Sequence, residues 1–214
     1  MTLALFDLDN TILSGDSEWK WSEFLYQKKV VGKDFLDQIN IYFRDYENNR
    51  LDFYAYEAFL LHPLTLYPHE KLLQLRARYL EHIQSLVRPA LIGRIEWHRV
   101  QGYKLLLITA TNQFLAEPIA ELLNFSMLIC TQIETQNGNF TGKLTGIPAF
   151  RDGKIKRLNQ WLKENQETLA GSWGYSDSFN DLPLLDKVEH PVAVTPDPIL
   201  RQHALYQGWE IMEG

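Results

Sequence analysis

The sequence lacks several features that would assign it to particular classes of protein. Its 214 residues contain a single cysteine, Cys130, which has no partner for an internal disulfide, so nothing indicates an oxidising compartment. No apolar run is long enough to cross a bilayer. The apolar run at the N-terminus is interrupted by Asp7 and Asp9, unlike a signal peptide. We therefore expect a cytoplasmic protein with no membrane partner.

Positive charge is also scarce. The 21 Lys and Arg residues are outnumbered by 27 Asp and Glu residues, which gives a formal net charge of -6. A nucleic-acid-binding protein normally shows a concentrated cationic face, so we expect no nucleic-acid partner. The hydrophobic content of 45% is ordinary for a globular chain with one core and a smaller satellite. A small-molecule partner is therefore expected, and the oligomeric state is left open.

Five short apolar runs are typical of buried parallel strands. They cover residues 3–8, 104–109, 127–130, 172–176 and 191–194. Amphipathic helical patterns separate most of these runs. This alternation predicts an α/β fold with a Rossmann-like parallel sheet, in which ligands bind at the carboxyl ends of the strands.

A long stretch without strand patterns follows the first predicted strand. Residues 14–88 carry aromatic residues and leucines at helical spacing, which predicts a helical cap domain. The core would then consist of residues 1–13 and 89–214. Residues 131–146 alternate between polar and apolar around Asn137-Gly138, which predicts a small β-hairpin.

Two acids, Asp7 and Asp9, close the first predicted strand. Taken alone, such a pair is more often part of a solvated turn than of a functional site. If both carboxylates face the same crevice they repel each other, and a bound divalent cation would relieve that repulsion. Magnesium prefers carboxylate oxygens and water and leaves positions for phosphate oxygens, so the pair indicates a Mg2+ site.

Three further polar clusters occur at the end of a predicted strand or the start of a predicted helix. Thr109 ends a strand, where a hydroxyl and free backbone amides can hold a phosphate or simply cap the next helix. Lys154 opens a helix, where a cation opposes the helix dipole; a solvent-exposed lysine is the alternative. Asp177 and Asp181 follow another strand and could complete a metal site or form an ordinary turn.

The order of these clusters resembles the haloacid dehalogenase superfamily. Residues 7–11, Thr109, Lys154 and residues 177–181 correspond to its four motifs, and the helical insert is similar to the cap of the phosphoserine-phosphatase-like branch. This resemblance implies a phosphatase, because Asp9 supplies the acid/base that phosphoryl transfer needs and that dehalogenation does not. Phosphomutases share that aspartate but usually carry a different cap.

The resemblance also implies catalytic roles. Asp7 would attack phosphorus and form an aspartyl-phosphate, while Asp9 would protonate the leaving alcohol and later activate water. Thr109, the backbone amide of Ala110 and Lys154 would hold the phosphoryl oxygens.

A magnesium cofactor is implied by the same resemblance. Its ligands would be Asp7, the backbone carbonyl of Asp9 and Asp177. Asn180 and Asp181 would support these groups without binding the metal directly.

The helical insert is expected to select the substrate. Its candidate contacts are Asp16, Glu18, Trp21, Arg44 and Asp45. Acids beside aromatic rings suit an amine and an imidazole, as in histidinol phosphate, the substrate of phosphatases to which some bacterial members of this branch are similar. Arg44 could instead bind the carboxylate of phosphoserine.

Other functions stay open on the sequence alone. They are transfer of a phosphoryl group from another small metabolite, and a catalytically silent binding module on the same fold. A dinucleotide-binding enzyme is disfavoured because the first strand is followed by acids and not by a glycine-rich loop.

Overall fold

The structure is a computed structural model that describes residues 2–213. Its strands are β1 (Leu3–Phe6), β2 (Lys104–Asn112), β3 (Met127–Thr131), β4 (Ile133–Gln136), β5 (Asn139–Leu144), β6 (Trp173–Ser176), β7 (His190–Val194) and β8 (Glu210–Met212). Its helices are α1 (Ser17–Gln27), α2 (Lys33–Glu47), α3 (Phe53–Thr65), α4 (His69–Ile83), α5 (Pro89–Val100), α6 (Gln113–Leu122), α7 (Asp152–Asn165), α8 (Leu182–Leu185) and α9 (Pro198–Gln207). Within the described range, no helix has the length and apolar character needed to cross a membrane. Met1 and Gly214, the outer ends of the predicted core segments, lie outside the described residues.

Six parallel strands form the main sheet, in the order β3-β2-β1-β6-β7-β8. The central strand β1 pairs with β2 on one side and with β6 on the other. The chain therefore moves outward from β1 to β3 and then returns to the opposite side of β1. In open α/β sheets, ligands bind at the carboxyl ends of the strands where the strand order reverses in this way. The predicted α/β fold with a parallel sheet is confirmed.

Helices cover both faces of β1, which explains its uninterrupted apolar sequence. Ala4 and Phe6 pack on the face covered by α5 and α6, whereas Leu3 and Leu5 pack on the face covered by α7 and α8. Successive residues of a strand point to opposite faces, so a strand between two helical layers needs apolar residues at every position.

The insert after β1 is helical, as predicted. Residues 14–88, all of them described, contain α1 to α4 and contribute no strand to either sheet. The two ends of the insert meet, since Leu13 pairs with Val87 and the Ser14 N–H donates to the Leu86 carbonyl at 2.7 Å. We propose that the boundary between the core and the cap falls at this short ladder.

The predicted hairpin is present as β4 and β5, which are antiparallel. Asn137 and Gly138 have φ values of 52° and 79°, the left-handed conformations that a tight two-residue turn requires. Two details differ from the prediction. Strand β2 continues to Asn112, and β8 was missed because a three-residue edge strand has no apolar run.

Gly153, the second residue of α7, allows that helix to pass very close to the preceding loop. A Cβ at this position would lie 1.9 Å from the Pro148 carbonyl oxygen. We expect Gly153→Ala to lower the free energy of unfolding by roughly 3 kcal/mol or more, because backbone cannot rotate away as a side chain can. Urea unfolding measures this loss.

Gly93→Ala in α5 is the matched control, because a Cβ there has no neighbour within 4 Å. We expect it to stabilise the protein by about 0.5–1 kcal/mol through its higher helix propensity. Equal stabilities of the two variants would contradict the close approach at Gly153.

The interior of the insert contains an acid with no hydrogen-bond partner among the described residues. Glu57 of α3 is fully buried, and neither carboxyl oxygen is satisfied. Burial, followed by the charges of Glu18 and Asp16, raises the pKa of Glu57 well above its usual value. Folding therefore favours the protonated form of Glu57.

Glu57→Gln should stabilise the protein near neutral pH. Unfolded Glu57 loses its proton near pH 4.5 whereas folded Glu57 loses it only at a higher pH, so its contribution to the free energy of unfolding falls as the pH rises above 4.5. We expect a gain of roughly 1–3 kcal/mol near pH 7 that shrinks towards pH 5.

Urea unfolding of the wild type and the variant at several pH values tests this expectation. The exposed Asp37→Asn on α2 is the control and should show no such trend. A Glu57→Gln effect that is independent of pH would show that Glu57 is ionised in the folded protein.

Candidate active site

The carboxyl ends of β1, β2 and β6 meet at a cavity of about 550 Å³ beneath the helical insert. Every residue that the sequence predicts to act in catalysis, phosphate binding or metal binding lines it. These residues are Asp7, Asp9, Thr109, Ala110, Lys154, Asp177, Asn180 and Asp181.

Lys154 is buried between two carboxylates. Its Nζ atom lies 2.7 Å from Asp7 Oδ1 and 2.7 Å from Asp181 Oδ2. Burial alone would lower the pKa of a lysine, but the charges of Asp181 and Asp7 hold the pKa of Lys154 above its usual value. With 5% of its surface exposed, Lys154 is not the solvent-exposed lysine that the sequence left as the alternative.

Asp7 immediately follows β1 and is held at both carboxylate oxygens. Oδ1 accepts from Lys154, and Oδ2 lies 3.0 Å from the Thr11 hydroxyl. Burial raises the pKa of Asp7 to about 7, against the lowering effect of Lys154. The carboxylate is thus fixed in one orientation beside a permanent positive charge.

The Thr11 hydroxyl that contacts Asp7 also contacts Asp177. Asp177 Oδ1 lies 2.9 Å from Thr11 Oγ1, and the Asp177 backbone N–H donates to that oxygen at 3.0 Å. Burial, and then the charge of Asp7, raises the pKa of Asp177 well above its usual value. A divalent cation between the two carboxylates would remove this cost.

The residues present fit a magnesium ion. Residues 2–213 contain no group of three His, Cys, Asp or Glu side chains that could hold a metal ion by themselves. The ligand set implied by the sequence resemblance needs only two side-chain carboxylates, completed by a backbone carbonyl at Asp9. The backbone of Asp9 is extended within the turn after β1 (φ -73°, ψ 135°), and water and phosphate oxygens would complete the coordination of a Mg2+ ion held there.

The side chain of Asp9 is held by α1 and β2. Its Oδ1 accepts from the Ser17 N–H at 2.6 Å, and its Oδ2 accepts from the Thr111 hydroxyl. Burial raises the pKa of Asp9 above its usual value. A carboxyl group that keeps its proton more readily can act as a general acid.

Two threonines line the cavity from β2. The Thr109 and Thr111 hydroxyl oxygens are 3.0 Å apart, and the Thr111 N–H donates to Thr109 Oγ1 at 3.1 Å. Of these two threonines, only Thr109 is a predicted site residue. Residues two apart on a strand share a face, so this period could have identified Thr111 as well.

Glu18, a predicted substrate contact, is occupied by contacts within the protein. Its Oε1 accepts from the backbone N–H and the Nδ2 of Asn112 at 2.8 and 2.6 Å, and its Oε2 accepts from the Tyr56 hydroxyl at 2.9 Å. Burial raises the pKa of Glu18 to about 7. Glu18 therefore ties α1 and α3 of the insert to the end of β2.

The other predicted substrate contacts divide into two groups. Asp16 and Arg44 line the cavity. Asp16 also caps α1, because its Oδ1 accepts from the Trp19 N–H at 2.8 Å, and burial raises its pKa well above its usual value. The structure does not bring Trp21 or Asp45 to the cavity.

Trp21 and Asp45 have structural surroundings. Trp21 is buried, and its ring stacks on Phe24 at 5.6 Å and lies edge-on to Tyr79 at 5.2 Å. Asp45 forms an ion pair with Arg50 at 3.5 Å on the surface of the insert.

Several cavity residues were not predicted, among them Phe150 and Arg151. Tyr46, whose helical spacing is that of an ordinary packing residue, also lines the cavity. Arg151 had no pattern to distinguish it from other surface cations, although it lies three residues before Lys154.

Comparison with known proteins places this geometry in a family. The model of the haloacid dehalogenase-like hydrolases matches residues 4–186, which include all four motifs. The histidinol-phosphatase of Neisseria meningitidis serogroup C (strain 8013) is 39% identical over 216 residues, covering 98% of this chain and 97% of that protein.

Solved structures agree with this assignment. A protein of unknown function from Bordetella pertussis Tohama I has a TM-score of 0.91 at 33% identity, with 99% of both chains covered. A substrate-bound phosphoserine phosphatase has a TM-score of 0.72 at 17% identity, covering 100% of this chain and 93% of that chain, which shows a shared fold. Together the matches bear out the prediction of a phosphatase. The chain belongs to the haloacid dehalogenase-like hydrolase family.

Proposed function

We propose that this phosphatase hydrolyses histidinol phosphate with Mg2+, through an aspartyl-phosphate on Asp7. The observation that carries the chemistry is the Asp7 carboxylate, fixed between Lys154 and Thr11 at the base of a cavity of metabolite size. The single, buried Cys130 supports a cytoplasmic location.

The reaction proceeds in two displacements. A carboxylate oxygen of Asp7 forms a bond to phosphorus while the bond from phosphorus to the substrate oxygen breaks, and Asp9 gives its proton to that oxygen. Asp9 then takes a proton from water, the water oxygen attacks phosphorus, and the bond to Asp7 breaks. Inorganic phosphate is released, and the free Asp7 carboxylate and the proton on Asp9 are restored.

Groups already in place hold the transferring phosphoryl group. Lys154, the Thr109 hydroxyl and the backbone amide of Ala110 supply positive charge and donors to its oxygens. The Lys154 ammonium is itself oriented by Asp181, whose Oδ2 also accepts from the Ser176 hydroxyl at 2.7 Å.

Asp7, Asp177 and the backbone carbonyl of Asp9 would hold Mg2+. The ion would stabilise the negative charge that develops on the phosphoryl oxygens. Asn180 and Asp181 would support this ligand set through their contacts with neighbouring residues.

The insert side of the cavity suits a cationic, flat substrate. It is lined by the aromatic residues Trp19, Tyr42, Phe43, Phe53 and Tyr56. Asp16 adds a carboxylate next to these rings, and rings with a nearby acid bind ammonium and imidazolium groups. Glu18 also lines the cavity, but protein donors already occupy its oxygens. The identity to the Neisseria histidinol-phosphatase supports the same substrate.

Arg44 favours phosphoserine as the second candidate. Its side chain lines the same cavity, and a guanidinium is a suitable clamp for the carboxylate of an amino acid. The two substrates share an amine and a phosphate, so the carboxylate and the imidazole distinguish them.

Asp7→Asn should abolish turnover. The amide is a poor nucleophile, so we expect phosphate release to fall by at least about a thousand-fold in the presence of Mg2+. The exposed Asp34→Asn is the control and should retain wild-type rates. Turnover retained by a folded Asp7→Asn variant would exclude Asp7 as the nucleophile.

The substrate is tested by phosphate release from histidinol phosphate and from phosphoserine. We expect kcat/KM to be at least about tenfold higher for histidinol phosphate, which corresponds to about 1.4 kcal/mol of binding to the aromatic and acidic wall. Equal or reversed values would reject this substrate.

Two variants test which side chains of the cavity select the substrate. Asp16→Asn should raise KM for histidinol phosphate and leave p-nitrophenyl phosphate hydrolysis unchanged, since the latter has no cation to bind. Arg44→Gln should leave histidinol phosphate turnover intact; selective loss of phosphoserine turnover would instead support the second candidate.

A further inference from the structure

Arg151 lies in a backbone conformation that residues with a side chain rarely adopt. Its φ is 49° and its ψ is -123°, directly before α7 and three residues before Lys154. Such conformations persist where surrounding contacts enforce them. The contacts that enforce this conformation are those of the Arg151 side chain.

Arg151 joins the core to the helical insert. Its Nε atom donates to Asn180 Oδ1 at 3.0 Å, and its Nη2 atom donates to Asn49 Oδ1 just beyond the end of α2. Asn180 Nδ2 donates in turn to the Tyr46 hydroxyl at 3.1 Å, and that hydroxyl lies 3.3 Å from Ser178 Oγ. We call Tyr46, Asn49, Arg151 and Asn180 the latch.

Aromatic contacts reinforce the latch. The Phe150 ring of the core stacks on Phe53 of the insert, with centroids 4.5 Å apart and planes at 10°. The Arg151 guanidinium lies over the Phe150 ring at 4.9 Å from its centroid. A single turn of chain thus meets the insert through both polar and apolar contacts.

The latch residues belong to the same short segments as the catalytic groups. Asn180 directly precedes Asp181, which holds Lys154, and Arg151 is followed by the first turn of α7, which carries Lys154. Separation of the insert from the core would break the Arg151 contacts at the mouth of the cavity. Arg151 itself lines the cavity.

We propose that Arg151 is a positioning residue that holds the insert closed over a bound phosphomonoester through Asn49 and Asn180. The latch does not take part in the bond changes at phosphorus. Its effect is on how long the substrate is retained, so it acts on KM and leaves kcat nearly unchanged.

The test uses Arg151→Gly and Asn49→Ala, singly and combined, with the full chain. Glycine adopts a positive φ without strain, so Arg151→Gly removes the side chain and keeps the turn. We expect each single variant to raise KM for histidinol phosphate about tenfold, with kcat within about twofold of wild type. The double variant should be no worse than Arg151→Gly alone, because the contact that Asn49→Ala removes is already absent in Arg151→Gly.

Arg50→Gln is the matched control, since Arg50 is an exposed neighbour of Asn49 and pairs with Asp45. It should leave KM unchanged. Arg151→Lys should restore part of the wild-type KM, because lysine keeps the charge but cannot donate to both asparagines at once. A lower kcat with unchanged KM, or independent effects of the two single variants, would overturn the proposal.

The KM test uses histidinol phosphate and therefore rests on the proposed function. A second measurement needs no substrate. Hydrogen exchange of residues 46–53 in the protein without substrate should be faster in Arg151→Gly than in wild type, while β1 and β2 exchange at unchanged rates. Unchanged exchange in residues 46–53 would reject the latch, whatever phosphomonoester the enzyme hydrolyses.

Discussion

The ammonium of Lys154 between Asp7 and Asp181 is the interaction on which the site depends. Three parallel strands end together and bring several carboxylates into one poorly hydrated space, where they repel each other. Lys154 offsets part of that negative charge. The close approach of Gly153 to Pro148 allows α7 to place the Lys154 ammonium beside Asp7. The negative charge that remains suits a metal ion and a cationic substrate.

Much of this arrangement is predictable from the sequence because buried parallel strands consist of continuous apolar residues. Where such a run ends in polar residues, those residues belong at the carboxyl edge of the sheet, and this placed Asp7, Thr109 and Asp177 correctly beside one another. The edge strand β8 is too short to produce a run, so nothing in its composition reveals it.

The insert was less predictable. Helical spacing indicates that a side chain is packed, but it does not show whether the side chain packs inside the insert, against the core or at the cavity. Trp21 and Tyr46 carry similar aromatic patterns, yet one packs inside the insert and the other reaches the core. Asp16 and Glu18 lie two residues apart at the start of α1, yet protein donors satisfy both oxygens of Glu18. Contacts between residues distant in sequence decide these roles, as they do for Arg151 and Asn49.

The central position of β1 has a consequence for the order in which the chain folds. Leu3 pairs with Lys104 and Ala4 pairs with Trp173, so β1 finds its partners only about 100 and 170 residues later in synthesis. Pairing across such separations is slow. Until β2 is synthesised, the apolar β1 has no strand to pair with and stays open to aggregation or to a chaperone.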